Sequence, residues 1–163
     1  MRDPLRPGER LLQSQRRDRG PDPSLVADDC YEIWIEGINE GHHGLTHHGR
    51  NPEKIEQLKI VEKVTMAAFR ELLVSLRDTQ EGTASLLDST QVLIGSNLGD
   101  ASGHGTTNLP ILLAGGGYRH GQHIAGDTGN NTPLAKLYVN MLQKFGVPTD
   151  KFGSGAGTVT ELS

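Results

Sequence analysis

Residues 51–77 read NPEKIEQLKIVEKVTMAAFRELLVSLR, and this stretch decides the fold class. Asn51 followed by Pro52 has the form of an N-cap and first helical residue, because proline fixes a helical φ where its missing N–H costs nothing. Ile55, Leu58, Val61, Thr65, Phe69, Leu72 and Leu76 then recur at spacings of three and four, with Met66 and Leu73 beside them. Glu53, Lys59, Lys63, Arg70 and Arg77 occupy the opposite side. The period predicts an amphipathic helix of about seven turns.

Outward from this helix the pattern alternates. Before it, Tyr31-Glu32-Ile33-Trp34-Ile35 reads as a short strand, and residues 37–50 as a loop. After it, Gln91 to Gly95 and Ile111 to Ala114 read as strands separated by a Gly/Ser/Thr/Asn-rich loop. Thr132-Pro133 opens a second helix whose buried stripe is Leu134, Leu137, Tyr138, Met141, Leu142 and Phe145, and Gly146 with Pro148 stops it. The expected class is an α/β layer with an incomplete sheet and two main helices, too few elements for a full doubly wound sheet. Apolar strands favour a sheet covered on both faces. Residues 1–29, interrupted by Pro4, Pro7, Pro21 and Pro23, read as a disordered Arg/Pro-rich segment. Residues 30–150 form the α/β part, and 151–163 read as a flexible tail.

Composition narrows the function classes. The 163 residues are 34% hydrophobic and include 21 glycines, which points to many turns. The formal charge is −4, and six arginines lie in the first twenty residues, so the remainder is more acidic still. An acidic body gives no reason to expect nucleic-acid binding. No apolar run approaches a membrane span, and no apolar segment follows the N-terminal arginines as a secretory signal requires. Cys30 is the single cysteine, so no internal disulfide forms. With no positioned base beside it, Cys30 is not read as a nucleophile, and no Gly-x-Ser-x-Gly elbow is present.

The densest chemical signal is His42-His43-Gly44-Leu45-Thr46-His47-His48. Neutral imidazole offers a lone pair near physiological pH, so a run of this density points to a metal or anion site, although a solvated polar loop would also carry it. Asp100-Ala101-Ser102-Gly103-His104 follows the Gln91–Gly95 strand. In open α/β sheets ligands bind in the crevice beyond the strand carboxyl ends, and the loops after Gly95 and Ala114 would sit at that edge. Asp100 and His104 are ligand candidates there, against an Asx-turn and a surface histidine. His120, His123 and Asp127 follow Gly115-Gly116-Gly117, whose glycines permit positive φ and would let an anion approach backbone N–H groups. His120 and His123 read more simply as surface residues. Imidazoles ligate deprotonated, so metal held this way should be lost below about pH 6.

These residues resemble a known family. His43-Gly44-Leu45-Thr46-His47-His48 is similar to the signature of the HXXSHH-motif family of uncharacterised bacterial proteins, with Thr46 where serine is usual. Asn51-Pro52-Glu53-Lys54-Ile55, Leu86-Leu87-Asp88-Ser89-Thr90, Asn108-Leu109-Pro110 and Ala114-Gly115-Gly116-Gly117 follow in the same order, so the resemblance covers about residues 37–150. That family in turn is distantly similar to the alkaline phosphatase and sulfatase superfamily. The resemblance implies a partial three-layer sandwich, a divalent metal such as zinc, ligands drawn from His43, His47, His48, Asp100 and His104, and a small-molecule ester as substrate. It also implies an exported, periplasmic protein of which this chain is the C-terminal piece, lacking the superfamily's nucleophile. In the superfamily a strand ends in Ser-Asp-His-Gly or Ser-Asp-Asn-Gly. Here Ser96-Asn97-Leu98-Gly99 places an amide and a leucine where ligands stand, which speaks against a full two-metal site. The expected function is a metal-binding remnant of a phosphatase/sulfatase-like hydrolase, inactive by itself. The alternative is a noncatalytic structural or binding module.

Overall fold

The computed structural model describes Ile35 and residues 38–162. The segment 1–29, Cys30 and nearly all of the strand expected at 31–35 lie outside the described residues. Two compact units divide the chain between Arg70 and Glu71.

In the first unit, α1 (His42–Thr46) replaces part of the loop expected over 37–50. It is a single helical turn, and Leu45 on it is fully buried. Gly49 (φ 53°) and Arg50 (φ 65°) reverse the chain behind it. Asn51 then caps α2 (Pro52–Asp78) as its sequence position requires. Its Oδ1 accepts from the N–H groups of Glu53 at 2.8 Å and Lys54 at 3.4 Å, donors that the helix itself leaves without partners. The helix has 27 residues, as the period predicts. Its apolar stripe is less covered than expected. Val61 is buried, Ile55, Leu58 and Phe69 are half-buried, and Thr65 is exposed. The Thr65 hydroxyl donates back to the Val61 carbonyl at 3.1 Å, which satisfies it without any tertiary partner.

In the second unit, the last turns of α2 lead into a hairpin of β1 (Gln80–Glu81) and β2 (Ala84–Ser85), turned by Gly82 at φ 64°. The short helix α3 (Leu86–Ser89) follows. Strands β3 (Gln91–Gly95) and β4 (Ile111–Gly115) fall where the sequence places them. They pair antiparallel, with Gln91 opposite Gly115 and Gly95 opposite Ile111. The expectation of a shared carboxyl edge is therefore corrected. The loops after Gly95 and after β4 leave from opposite ends of the ladder. A parallel pair needs a crossover, usually helical, whereas residues 96–110 contain only a turn closed by Asp100 and Gly105. Among the described residues the fold is helices with three small antiparallel strand pairs.

Helix α4 (Leu134–Lys144) starts one residue after Pro133. Its buried residues are Leu137 and Val139, and Val139 was not in the expected stripe. Phe145 was, yet it is 68% exposed, because the helix has ended and Phe145 is its C-cap. The stop at Gly146 has the form of a Schellman motif. Gly146, at φ 82°, donates to Gln143 O at 2.9 Å, and Val147 donates to Leu142 O at 3.0 Å.

Where the composition reads as a loose tail, the chain folds back. β5 (Lys151–Phe152) and β6 (Gly155–Ala156) form a hairpin that packs on α4. Phe152 meets Tyr138 edge-on at 5.1 Å. Gly155 is buried, and a Cβ there would strike that of Ala135. Asn140 on α4 then exchanges two hydrogen bonds with the backbone of Val159, at 2.7 and 3.1 Å. A 3-10 turn (Thr160–Leu162) ends the described chain.

Candidate metal centre

Helix α1 sets the spacing of the histidines. His43 lies within it and His47 is its C-cap, four residues on, so both belong to one face. The His47 N–H donates to the His43 carbonyl at 3.2 Å, and the Thr46 hydroxyl donates to the same oxygen at 2.8 Å. The two rings meet edge to face with centroids 4.7 Å apart and planes 63° apart. Both residues are exposed. Two imidazoles on one tetrahedral zinc, each with a metal–nitrogen bond of about 2.0 Å, place their ring centroids roughly 5 Å apart. The observed separation is within a few tenths of an ångström of that value.

His48 is disposed differently. Its Nδ1 accepts from the backbone N–H of Arg50 at 3.0 Å. A neutral imidazole whose Nδ1 accepts carries its proton on Nε2, which in this arrangement offers a donor and not a lone pair. The positive φ of Gly49 and Arg50 brings that N–H back to the ring.

Asp100 and His104 belong to the second unit and share a tight turn there. Gly105 N–H donates to Asp100 O at 2.8 Å, and Gly99 N–H donates to Gly105 O at 2.8 Å. Asp100 Oδ1 accepts from Gly103 N–H at 3.2 Å, a local side-chain-to-backbone bond that reaches one residue further than an Asx-turn. His104 has a left-handed backbone, φ 54°. Asn97 is exposed, and Leu98 N–H donates to Ser96 Oγ at 3.1 Å.

The third histidine group is part of a packing turn. Gly115, Gly116 and Gly117 all have positive φ, between 63° and 70°. Gly115 and Gly116 are buried, and Gly116 N–H donates to Leu87 O at 3.0 Å. A side chain at Gly115 would strike the backbone of Thr90 and Leu87. The triplet thus seats α3 against the end of β4. One ring nitrogen of His120 lies 2.9 Å from the Gly115 carbonyl, His123 is exposed, and Asp127 Oδ1 accepts from Gly129 N–H at 2.8 Å.

Residues that the sequence did not single out support both regions. The Tyr118 hydroxyl donates to Gln91 Oε1 at 2.7 Å, and burial raises its phenol above the ordinary tyrosine value. Lys144 lies 5.3 Å from the centre of the Tyr118 ring and donates to Gly117 O at 3.1 Å. In the first unit, Lys54 reaches Glu40 at 2.7 Å and the Gly44 carbonyl at 3.4 Å. No spacing rule would have found these pairs, because their partners are distant in sequence or charged residues of ordinary type.

Among the described residues, no three His, Cys, Asp or Glu side chains gather as a metal-holding group. No helix there is long and apolar enough to cross a membrane. Compared with protein-family models, with curated proteins and with solved structures, the chain matches none.

Proposed function

We propose that this chain is a metal-binding module of the HXXSHH type, a remnant of a phosphatase/sulfatase-like hydrolase that does not catalyse by itself. The observation that carries the reading is the His43–His47 pair, four residues apart with ring centroids 4.7 Å apart. Two histidines at that spacing on one helical face are a recurrent way of holding zinc. The wider set implied by the family resemblance adds His48, Asp100 and His104. The proposal commits to His43 and His47 as protein ligands, with water completing the sphere. His48 would join only by releasing Arg50 N–H and moving its proton. A bound divalent ion would supply Lewis acidity. The finer fold assignment, a partial alkaline-phosphatase-like sandwich, belongs to the same proposal and rests on motif order alone.

A noncatalytic structural module without metal is the second reading. It is favoured by the exposed amide of Asn97 and by Leu98, which stand where the superfamily carries ligands. Zinc titration by calorimetry separates the two readings. The first expects saturable binding that His43→Ala/His47→Ala weakens at least tenfold. No saturable binding by the parent chain would leave only the second, and equal binding by both proteins would remove His43 and His47 as the ligands. Aryl phosphate and sulfate esters should remain uncleaved with zinc present, and turnover that follows the zinc content would overturn the inactive assignment.

A further inference from the structure

The histidine spacing depends on a helix that is too short to stand alone. Helix α1 has five residues, and Gly41 at its start provides no side-chain cap. Nucleating one isolated turn is unfavourable, so something outside it must hold it. Burial of Leu45 anchors one side. The other tie is Lys54, in the first turn of α2. Its ammonium donates to Glu40 Oε1 at 2.7 Å and to the Gly44 carbonyl, in the middle of α1, at 3.4 Å. The Glu40 side chain lies over Gly44. A Cβ at Gly44 would meet Glu40 Oε1, and would lie 2.8 Å from both Cδ and Cγ of Glu40. Glycine is a poor residue for a helix interior, and Gly44 has no positive φ to require it. Glu40 fills the space that a Cβ would take.

We infer that Lys54 and Glu40 are positioning residues for the His43–His47 pair. They grip α1 at Gly44, keep it helical and so keep the two imidazoles one turn apart. The inference rests on the metal-binding reading above, and neither residue is a proposed ligand. The bridge is partly exposed, with 32% and 38% of the two side chains accessible. A pair of that exposure is worth at most about fivefold in an equilibrium, which sets the upper bound of the effect to look for.

Gly44→Ala tests the grip directly. The change favours helix locally but evicts Glu40, so the two explanations predict opposite signs. Calorimetric titration of the full chain with zinc alone should show binding weakened about two- to fivefold for Gly44→Ala and Lys54→Met, and near-normal binding for Lys54→Arg. Equal or tighter zinc binding by Gly44→Ala overturns the inference. Where Lys54→Met fails to fold, as judged by circular dichroism, Glu40→Gln makes the same comparison. A second readout is independent of metal: nuclear Overhauser contacts between the His43 and His47 ring protons in zinc-free protein. If the parent chain binds zinc no better than His43→Ala/His47→Ala, the metal reading fails and these contacts decide. Their loss in Lys54→Met supports the grip, and their persistence overturns it.

Discussion

Ser85 and Asp88 cap each other at the start of α3. Asp88 Oδ2 accepts from both the backbone N–H and the hydroxyl of Ser85, each at 2.8 Å, while Ser85 Oγ accepts from Asp88 N–H at 3.3 Å. This reciprocal arrangement satisfies donors that a four-residue helix cannot satisfy internally. It also fixes the path by which the β1–β2 hairpin enters β3.

Ser85→Ala should destabilise the second unit by about 1 kcal/mol, read as a lower urea midpoint with unchanged slope. The Ser85 hydrogen bonds hold the Asp88 carboxyl below its ordinary value of 3.8. A depressed carboxyl stabilises the fold above its unfolded pKa, and that contribution disappears as pH falls through the folded value. Acid titration of stability should therefore show a loss below about pH 4 that Asp88→Asn reduces, the Asp78 carboxyl, lowered by Arg77, contributing the remainder. An identical acid limb in the variant would refute the assignment.

The glycine triplet predicts an order of costs. Gly115→Ala combines a left-handed backbone with collisions against Thr90 and Leu87, and should cost at least about 2 kcal/mol. At Gly117 the nearest atoms to a new Cβ belong to the Lys144 side chain, at 3.7 Å. There only the backbone penalty applies, about 1 kcal/mol. Thermal melts giving the reverse order would show that the turn does not seat α3 as described.

Val139 and Phe145 reverse the usual expectation from size. Val139 has no exposed surface, and Val139→Ala should cost about 2 kcal/mol through lost burial and a residual cavity. Phe145→Ala, at a residue 68% exposed, should change stability by less than about 0.5 kcal/mol. Chemical denaturation of the two variants side by side checks this, and a larger loss for Phe145→Ala would mean that its ring is covered in solution.

The local signals in this chain are those that its neighbours in sequence can satisfy. Asn51 before Pro52 marks the start of α2, and Gly146 marks the end of α4, because caps are completed within a few residues. The apolar runs at 91–95 and 111–115 are strands for the same local reason. Their antiparallel pairing is not local. It follows from a turn at Asp100–Gly105 returning the chain without a crossover helix, and it separates two loops that a parallel sheet would have joined. Hydrophobic character placed Phe145 in the core and passed over Val139, because burial depends on where the helix ends and on what packs against it.

For the histidines, sequence alone determined that four imidazoles lie within seven residues. Tertiary structure decided their arrangement. One helical turn, with Lys54 of the next helix bonded to its Gly44 carbonyl, brings the His43 and His47 rings to 4.7 Å, while a left-handed turn ties His48 to the Arg50 backbone. Ligand type is a property of each side chain, but ligand geometry depends on backbone conformation and on contacts that no spacing rule encodes.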